Sequence, residues 1–189
     1  MSHASRTARV LTVLLAALCS SPVDAQESIT MTLTLTSPAF TAGGAIPSRF
    51  TCEGSDTSPP LAWTGVPAGT RSFALVVDDP DAPDPAAPKT TWVHWVLYNI
   101  PANATALAED AARKGLPPGT RAGTNDWQRT AYGGPCPPIG RHRYYHKLYA
   151  LNLELPELGA IGKAALERAM RGHVLAEAEL IGTYQKQHP

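Results

Sequence analysis

The chain has 189 residues, of which 43% are hydrophobic and 17% charged, and its formal net charge is zero. This length suits one domain with its own hydrophobic core and is too short for two. The balanced charge argues against nonspecific binding to nucleic acid or to an anionic membrane surface. The 18 prolines and 15 glycines favour a turn-rich β architecture over a helical bundle.

Residues 1–25 have the pattern of a secretory signal peptide. Two arginines precede the apolar run VLTVLLAALC, and small residues then predict cleavage after Ala25. The run is too short for a membrane anchor, and Leu18 is a poor residue before a lipoprotein cysteine at Cys19. We therefore expect a periplasmic or secreted protein whose mature domain, residues 26–189, has a net charge of −1.

The mature chain keeps two cysteines, Cys52 and Cys136. In an oxidising compartment such a pair can form a disulfide. Whether their Cα atoms come within bridging distance cannot be deduced from the sequence. Two small buried thiols are the alternative, and both interpretations stay open at this point.

Five segments have the composition of strands. They are residues 29–36, 73–79, 92–100, 144–155 and 179–184. The first and fourth alternate between apolar and polar residues, whereas the second and third are mostly apolar, as central strands are. A helix is predicted over residues 162–172, and the residues just after it could continue as a second helical turn. The strand count and spacing predict an antiparallel β-sandwich.

Residues 78–85, DDPDAPDP, place four aspartates where a predicted strand ends. Prolines fix φ and remove backbone donors, so this turn would hold its carboxylates rigidly. A solvated acidic turn is the simpler interpretation, but such a turn needs no rigidity. We therefore predict a functional turn, with a cis bond between Ala82 and Pro83.

Two further segments place histidines on strands. In WVHW, residues 92–95, alternation puts Trp92 and His94 on one face and Val93 and Trp95 on the other. A single histidine on a strand is more often a hydrogen-bonded core residue than a functional one.

The segment GGPCPPIGRHRY, residues 133–144, is a stiff loop that leads into a strand. Alternation puts His142 and Tyr144 on one face, while Arg143 points away. Histidine and tyrosine side chains on one face can donate several hydrogen bonds to an anion.

No nucleophile lies beside a base in a recognisable motif, and Cys136 is flanked by two prolines, so a nucleophilic hydrolase is disfavoured. A metal site built from Asp79, Asp81, His94 and His142 is also disfavoured, because zinc ligands often come in close pairs on one element. No phosphate-cradling glycine loop is present, and no cofactor is expected. These residues predict a small pocket with carboxylates on one side and histidine and tyrosine on the other. Such a pocket would suit a phosphomonoester or a small zwitterion.

Three segments in this order, DDPDAP, WVHWVLYNIP and AYGGPCPPIGRHRYYHKLYAL, resemble the phosphatidylethanolamine-binding protein family, and above all its bacterial Raf kinase inhibitor-like branch. IPSRFTCEGSDTSPPLAWTGVP and GHVLAEAELIGTY fit the same branch, so the resemblance covers nearly all of the mature chain. It implies a mainly β fold, an antiparallel β-sandwich with one or two short C-terminal helices and a small anion-binding pocket at one end.

Carried over by motif, the resemblance implies a pocket lined by Asp79, Asp81, His94, Gly134, Pro135, His142 and Tyr144. Family members bind phosphate-bearing groups such as phosphorylethanolamine, and some inhibit kinases or serine proteases. An exported protein cannot regulate a cytoplasmic kinase, so the kinase role is not carried over. The chain departs from the branch at residues 84–91, which form a longer segment beside the pocket and leave the preferred ligand size open.

We therefore expect an exported, non-catalytic binding protein for a small phosphorylated or anionic ligand, such as a phospholipid head group. One alternative is a serine protease inhibitor that acts through an exposed loop at residues 80–91. A less favoured alternative is an enzyme that uses Asp79 and His94 for acid–base chemistry on a phosphate ester. Neither a nucleic-acid partner nor a membrane-spanning segment is expected in the mature chain.

Overall fold

A computed structural model of the protein describes Met1 and residues 32–187. The remainder of the predicted leader, its cleavage site after Ala25 and the first residues of the predicted strand 29–36 lie outside the described residues. Within the described part, no helix is long and apolar enough to cross a membrane.

The described chain forms eight strands, two short α-helices and one 3-10 turn at Ser48–Phe50. The strands are β1 (Thr34–Thr36), β2 (Leu61–Thr64), β3 (Ser72–Asp79), β4 (Trp92–Pro101), β5 (Ala106–Leu107), β6 (Arg121–Ala122), β7 (His142–Leu151) and β8 (Val174–Tyr184). The helices are α1 (Ala111–Lys114) and α2 (Lys163–Met170).

The strands form two antiparallel sheets. The smaller sheet has the order β1-β2-β5, and the larger has the order β6-β4-β3-β7-β8. The main core contains side chains from both sheets, with Leu61 and Trp63 from the smaller sheet and Phe73, Leu75 and Trp95 from the larger. This confirms the predicted antiparallel β-sandwich.

The other face of the larger sheet is covered by α2. Leu166 and Met170 of this helix belong to a second buried cluster with Val76 and Val96 of the sheet. Because the sheet is buried on both faces, all eight residues of β3 are buried. This double burial explains why residues 73–77 of the strand are a continuous apolar run rather than an alternating one.

The C-terminal part of the fold differs from the sequence prediction. The helix predicted at 162–172 is confirmed as α2, and the left-handed backbone of Gly172 (φ 79°) follows it. The second helical turn predicted after it is wrong, because the chain from Val174 to Tyr184 pairs with β7 as one continuous strand. Strand β7 itself begins at His142 and ends at Leu151, earlier than predicted at both ends.

A β-bulge at His94 changes the facing of β4. Val77 of β3 pairs with Trp95 and Asp78 pairs with Val93, so His94 is an extra residue between them. Trp95 consequently lies in the main core, whereas Val93 lies in the cluster under α2. The prediction that Val93 and Trp95 share a face is therefore wrong.

Candidate functional site

A cavity of about 330 Å³ lies where β3 ends and where β4 and β7 begin. The residues that line it are Asp79, Ala82, Pro83, Trp92, His94, Trp127, Cys136, Pro137, Pro138, His142 and Tyr144. They come from three strands and from the two connections β3–β4 and β6–β7. The bond between Ala82 and Pro83 is cis, as predicted.

Asp79 and His142 form a buried pair on the cavity wall. Nδ1 of His142 lies 2.7 Å from Oδ2 of Asp79, and Nε2 lies 2.9 Å from the carbonyl oxygen of Ile139. A neutral imidazole has only one N–H, so both contacts are hydrogen bonds only when the pair holds two protons. The pair is then electrically neutral, whichever partner holds the shared proton. Burial raises the pKa of Asp79, although the hydrogen bond with His142 opposes that shift.

Asp81 is turned away from the cavity and is not among its lining residues. Its carboxylate accepts two hydrogen bonds from the Arg143 guanidinium, at 2.9 and 2.7 Å, and one from the Arg143 backbone N–H at 2.9 Å. These hydrogen bonds lower the pKa of Asp81. The Asp81 backbone N–H donates to Asp79 Oδ1 at 2.8 Å. Asp81 therefore fixes the proline turn to the start of β7 and orients Asp79.

The bulge places His94 on the cavity wall with a defined tautomer. Its Nδ1 lies 2.7 Å from the carbonyl oxygen of Gly133, which can only accept, so Nδ1 carries the proton. Burial lowers the pKa of His94 to about 4, so the ring is neutral near pH 7. Its Nε2 is then an acceptor, and no described residue bonds to it.

Aromatic rings form the remainder of the buried wall. The ring of Trp127 meets those of Trp92 and His94 edge-on, at centroid distances of 5.4 and 5.1 Å. The ring of Tyr144 meets that of His94 in the same way at 5.2 Å. The buried Nε1 of Trp92 and hydroxyl of Tyr144 have no hydrogen-bond partner in the described chain. Burial also raises the pKa of Tyr144, so its hydroxyl keeps its proton as a donor.

Gly134 and Pro135 support the cavity without lining it. The Gly134 N–H donates to Asp56 Oδ1 at 2.6 Å, and the Pro135 carbonyl accepts from the Cys52 N–H at 3.1 Å. A Cβ on Gly134 would lie 2.5 Å from the Phe50 carbonyl oxygen, so only glycine fits this close approach of two backbones.

Cys52 and Cys136 are joined by a disulfide, with their Cα atoms 5.4 Å apart. This decides between the two alternatives that the sequence left open. Because Cys136 also lines the cavity, the disulfide holds the cavity wall formed by residues 136–138 against the loop that contains Cys52.

Four of the seven predicted site residues line the cavity: Asp79, His94, His142 and Tyr144. Asp81, Gly134 and Pro135 hold the surrounding backbone, and a role for them in ligand contact stays a prediction. The sequence analysis missed Trp127, which lies in the segment TNDWQRT. An Asn-Asp pair there indicates a turn, but no pattern indicates that the turn packs against β4.

Among residues 32–187, no group of three or more histidine, cysteine, aspartate and glutamate side chains could hold a metal ion. The four residues considered for such a site are divided between other partners. Asp79 pairs with His142, and Asp81 with Arg143.

Comparison with known proteins gives matches over most of the chain. Residues 36–185 match the family model described as phosphatidylethanolamine-binding protein. A UPF0098 protein of Methanothermobacter thermautotrophicus is 49% identical over 156 residues, which cover 82% of this chain and 99% of that protein.

Two solved structures share the fold. The phosphatidylethanolamine-binding protein homologue CT736 from Chlamydia trachomatis is 39% identical, with a TM-score of 0.76 over 83% of this chain and 99% of that one. Escherichia coli YbcL, described as a member of the mammalian PEBP family, is 36% identical, with a TM-score of 0.75 over 82% of this chain and 99% of that one. The family model covers the whole of the larger sheet and every cavity-lining residue, and the chain belongs to the phosphatidylethanolamine-binding protein family.

Proposed function

We propose that the protein is an exported, non-catalytic binding protein for a small phosphate-bearing anion. The observation that carries this proposal is the set of buried polar atoms in the cavity wall that lack a partner in the described chain. They are Trp92 Nε1, His94 Nε2 and the Tyr144 hydroxyl. An unsatisfied buried polar group costs about 1–3 kcal/mol, so a ligand that bonds to these atoms recovers that free energy.

The chemistry of the wall supports an oxyanion ligand. Trp92 and Tyr144 each supply an N–H or O–H donor. The Asp79–His142 pair is neutral when both of its hydrogen bonds form, so its carboxylate does not by itself repel an anion. A cavity of about 330 Å³ is small, at the lower end of the volumes typical of ligand sites.

Two observations support a binding role rather than catalysis. Both ring nitrogens of His142 are occupied within the chain, by Asp79 and by the Ile139 carbonyl. Cys136, the cysteine at the cavity, is held in a disulfide and is not a free nucleophile. The disulfide also supports export, because such bonds persist mainly in oxidising compartments.

Calorimetric titration of the purified protein with phosphorylethanolamine and inorganic phosphate tests the proposal. We expect saturable binding that is lost in His142→Ala and weakened in Tyr144→Phe. Tyr145→Phe is the matched control, because Tyr145 is the next residue of β7 and lies under Arg143 and Lys147 rather than on the cavity wall. Absence of binding by the folded protein, or equal effects of the two tyrosine variants, would contradict the proposal.

A second candidate is inhibition of a serine protease through the loop at residues 80–91. Residues 85–91 are exposed, and the backbone N–H groups of Lys89 and Thr90 donate to the Ala82 carbonyl at 2.9 and 3.2 Å. An exposed loop held in one conformation suits a substrate-like inhibitor, because less conformational entropy is lost on binding.

Inhibition of trypsin tests this candidate, since trypsin accepts basic residues and Lys89 is exposed in the loop. We expect an inhibitor to lose potency in Lys89→Ala and to keep it in His142→Ala. The reverse pattern, ligand binding that depends on His142 with no trypsin inhibition, favours the first proposal.

A further inference from the structure

The hydrogen-bonding character of His94 restricts the ligand. The Gly133 carbonyl fixes the proton on Nδ1, so Nε2 presents a lone pair and cannot donate. No described group donates to that lone pair. A ligand oxygen without a proton would place lone pair against lone pair at this atom, whereas a ligand O–H would form a hydrogen bond.

The charged residues on the cavity wall also favour a protonated ligand. Neither lysine nor arginine is among the described residues that line it. Asp79 is the lining residue that carries a carboxylate, and His142 is the partner that balances its negative charge. Such a wall stabilises a monoanion better than a dianion, because no lysine or arginine lines the described cavity to balance a second negative charge.

We propose that the cavity selects oxyanions that donate a P–O–H hydrogen bond to His94 Nε2, namely orthophosphate and singly protonated phosphate monoesters, and that it excludes sulfate and phosphate diesters. This inference rests on the proposed function, since it names the protonation state of the ligand that the same site binds. It also separates two sources of the same phosphate group. A soluble monoester can carry the required proton, whereas the diester of an intact phospholipid cannot.

The four ligand types differ in whether they carry a P–O–H group. The second pKa of a phosphate monoester is about 6, so its P–O–H is present below that pH and lost above it. Orthophosphate keeps at least one P–O–H on both sides of that value. Sulfate and a phosphate diester carry no such proton anywhere in the range.

Several titratable groups face His94 and bear on the pH dependence. Asp79 lies at the end of β3, and His142 and Tyr144 lie on β7, all three on the same cavity wall. His146, further along β7, and Asp78, on the other side of the sheet, act on His94 electrostatically. Burial lowers the pKa of His94 to about 4, which supports its role as an acceptor in the range tested.

The experiment is calorimetric titration of the purified protein with orthophosphate, phosphorylethanolamine, sulfate and dimethyl phosphate, a diester with no hydrogen-bond donor, at about pH 5.5 and about pH 7.5. We expect orthophosphate to bind at both pH values. We expect phosphorylethanolamine to bind about 10-fold or more tightly at the lower pH, and sulfate and the diester to bind about 10- to 100-fold more weakly than orthophosphate.

A variant of His94 tests the role of Nε2 as the acceptor. In His94→Asn the side-chain amide can still donate to the Gly133 carbonyl, but nothing replaces the acceptor at Nε2. We expect the preference for orthophosphate over sulfate to fall toward equality in this variant. Because the variant could also fail to fold, the wild-type ligand pattern is decisive without it.

The outcomes separate this inference from the proposed function. Sulfate binding as tight as orthophosphate binding, or monoester binding that is unchanged or tighter at the higher pH, would overturn the proton requirement and leave the anion site intact. Sulfate binding that appears only at the lower pH would mean that His94 itself takes up the proton, and it would also overturn the inference. If none of the four compounds binds at either pH, the inference and the proposed function both fail.

Discussion

Asp78 and Asp79, neighbours at the end of β3, lie on opposite faces of the larger sheet. Asp78 is fully buried on the face toward α2, where Lys147 Nζ lies 2.9 and 3.0 Å from its two oxygens and Lys163 Nζ lies 2.6 Å from Oδ2. Asp79 faces the cavity and bonds to His142. The ion pairs of Asp78 tie α2 and β7 to the strand that carries Asp79, so the back of the sheet holds the cavity wall in place.

Asp78→Asn is expected to destabilise the fold by about 3 kcal/mol, because removing one partner of a buried ion pair leaves the others uncompensated. Lys147 and Lys163 would then lie close together without the carboxylate between them. The free energy of unfolding in urea measures the effect. Lys163→Met is the comparison: Asp78 keeps Lys147 in that variant, so we expect a smaller loss. Equal losses in the two variants would contradict this account.

Acidification is expected to destabilise the fold through two buried histidines. Burial lowers the pKa of His94 and of His146 to about 4, below the ordinary value of 6.5. Between those two values the unfolded chain binds protons that the folded chain does not, so stability falls as pH decreases from about 6.5 to about 4. The loss is on the order of 3 kcal/mol for each histidine.

Urea unfolding at several pH values within that window measures this dependence. His146→Leu is expected to reduce the slope of unfolding free energy against pH by about half, since one of the two histidines is removed. A slope that does not change in this variant would show that His146 contributes nothing to the acid sensitivity.

Gly134→Ala is expected to cost about 2 kcal/mol or more, as overpacked substitutions do. The new Cβ would lie 2.5 Å from both the Phe50 carbonyl oxygen and Asp56 Oδ1. Gly162→Ala is the matched control, because there the nearest atom, the Thr124 carbonyl oxygen, is 3.9 Å away. Thermal unfolding followed by circular dichroism compares the two variants, and equal melting temperatures would contradict the prediction.

Replacing both Cys52 and Cys136 by serine is expected to cost about 2–5 kcal/mol, because the disulfide spans 84 residues and restricts the unfolded chain. Urea unfolding of the double variant measures this cost. Treatment of the wild type with a reductant should give a similar loss. A reduced wild type that is as stable as the oxidised protein would contradict the prediction.

The main strands and four of the eleven residues that line the cavity could be predicted from the sequence. Alternate residues of a strand share a face, so His142 and Tyr144 were correctly predicted to lie together, with Arg143 opposite them. The pairing of Asp81 with Arg143 was not predicted, because it joins residues 62 positions apart. Sequence patterns on one segment carry no information about such a partner.

Sequence periodicity also cannot predict the face on which Trp95 lies or the position of Trp127. A bulge is defined by the number of residues between pairing partners on two strands, so β4 alone does not reveal it. Trp127 reaches the cavity because Asn125 Oδ1 accepts from the backbone N–H of Trp127 and of Arg129, and because Gly133 leaves room for the indole ring. The Asn125 turn is local and its sequence indicates it, but the packing of Trp127 against Trp92 and His94 joins distant segments and has no local signature.

The disulfide also determines what proteolysis can do to this protein. Cys52 and Cys136 close a covalent ring, and the exposed residues 85–91 lie inside it. A protease that cuts this loop would therefore produce two new chain ends within one molecule rather than two separable fragments. On a non-reducing gel the nicked protein would still migrate as a single band, and reduction would be needed to release the pieces.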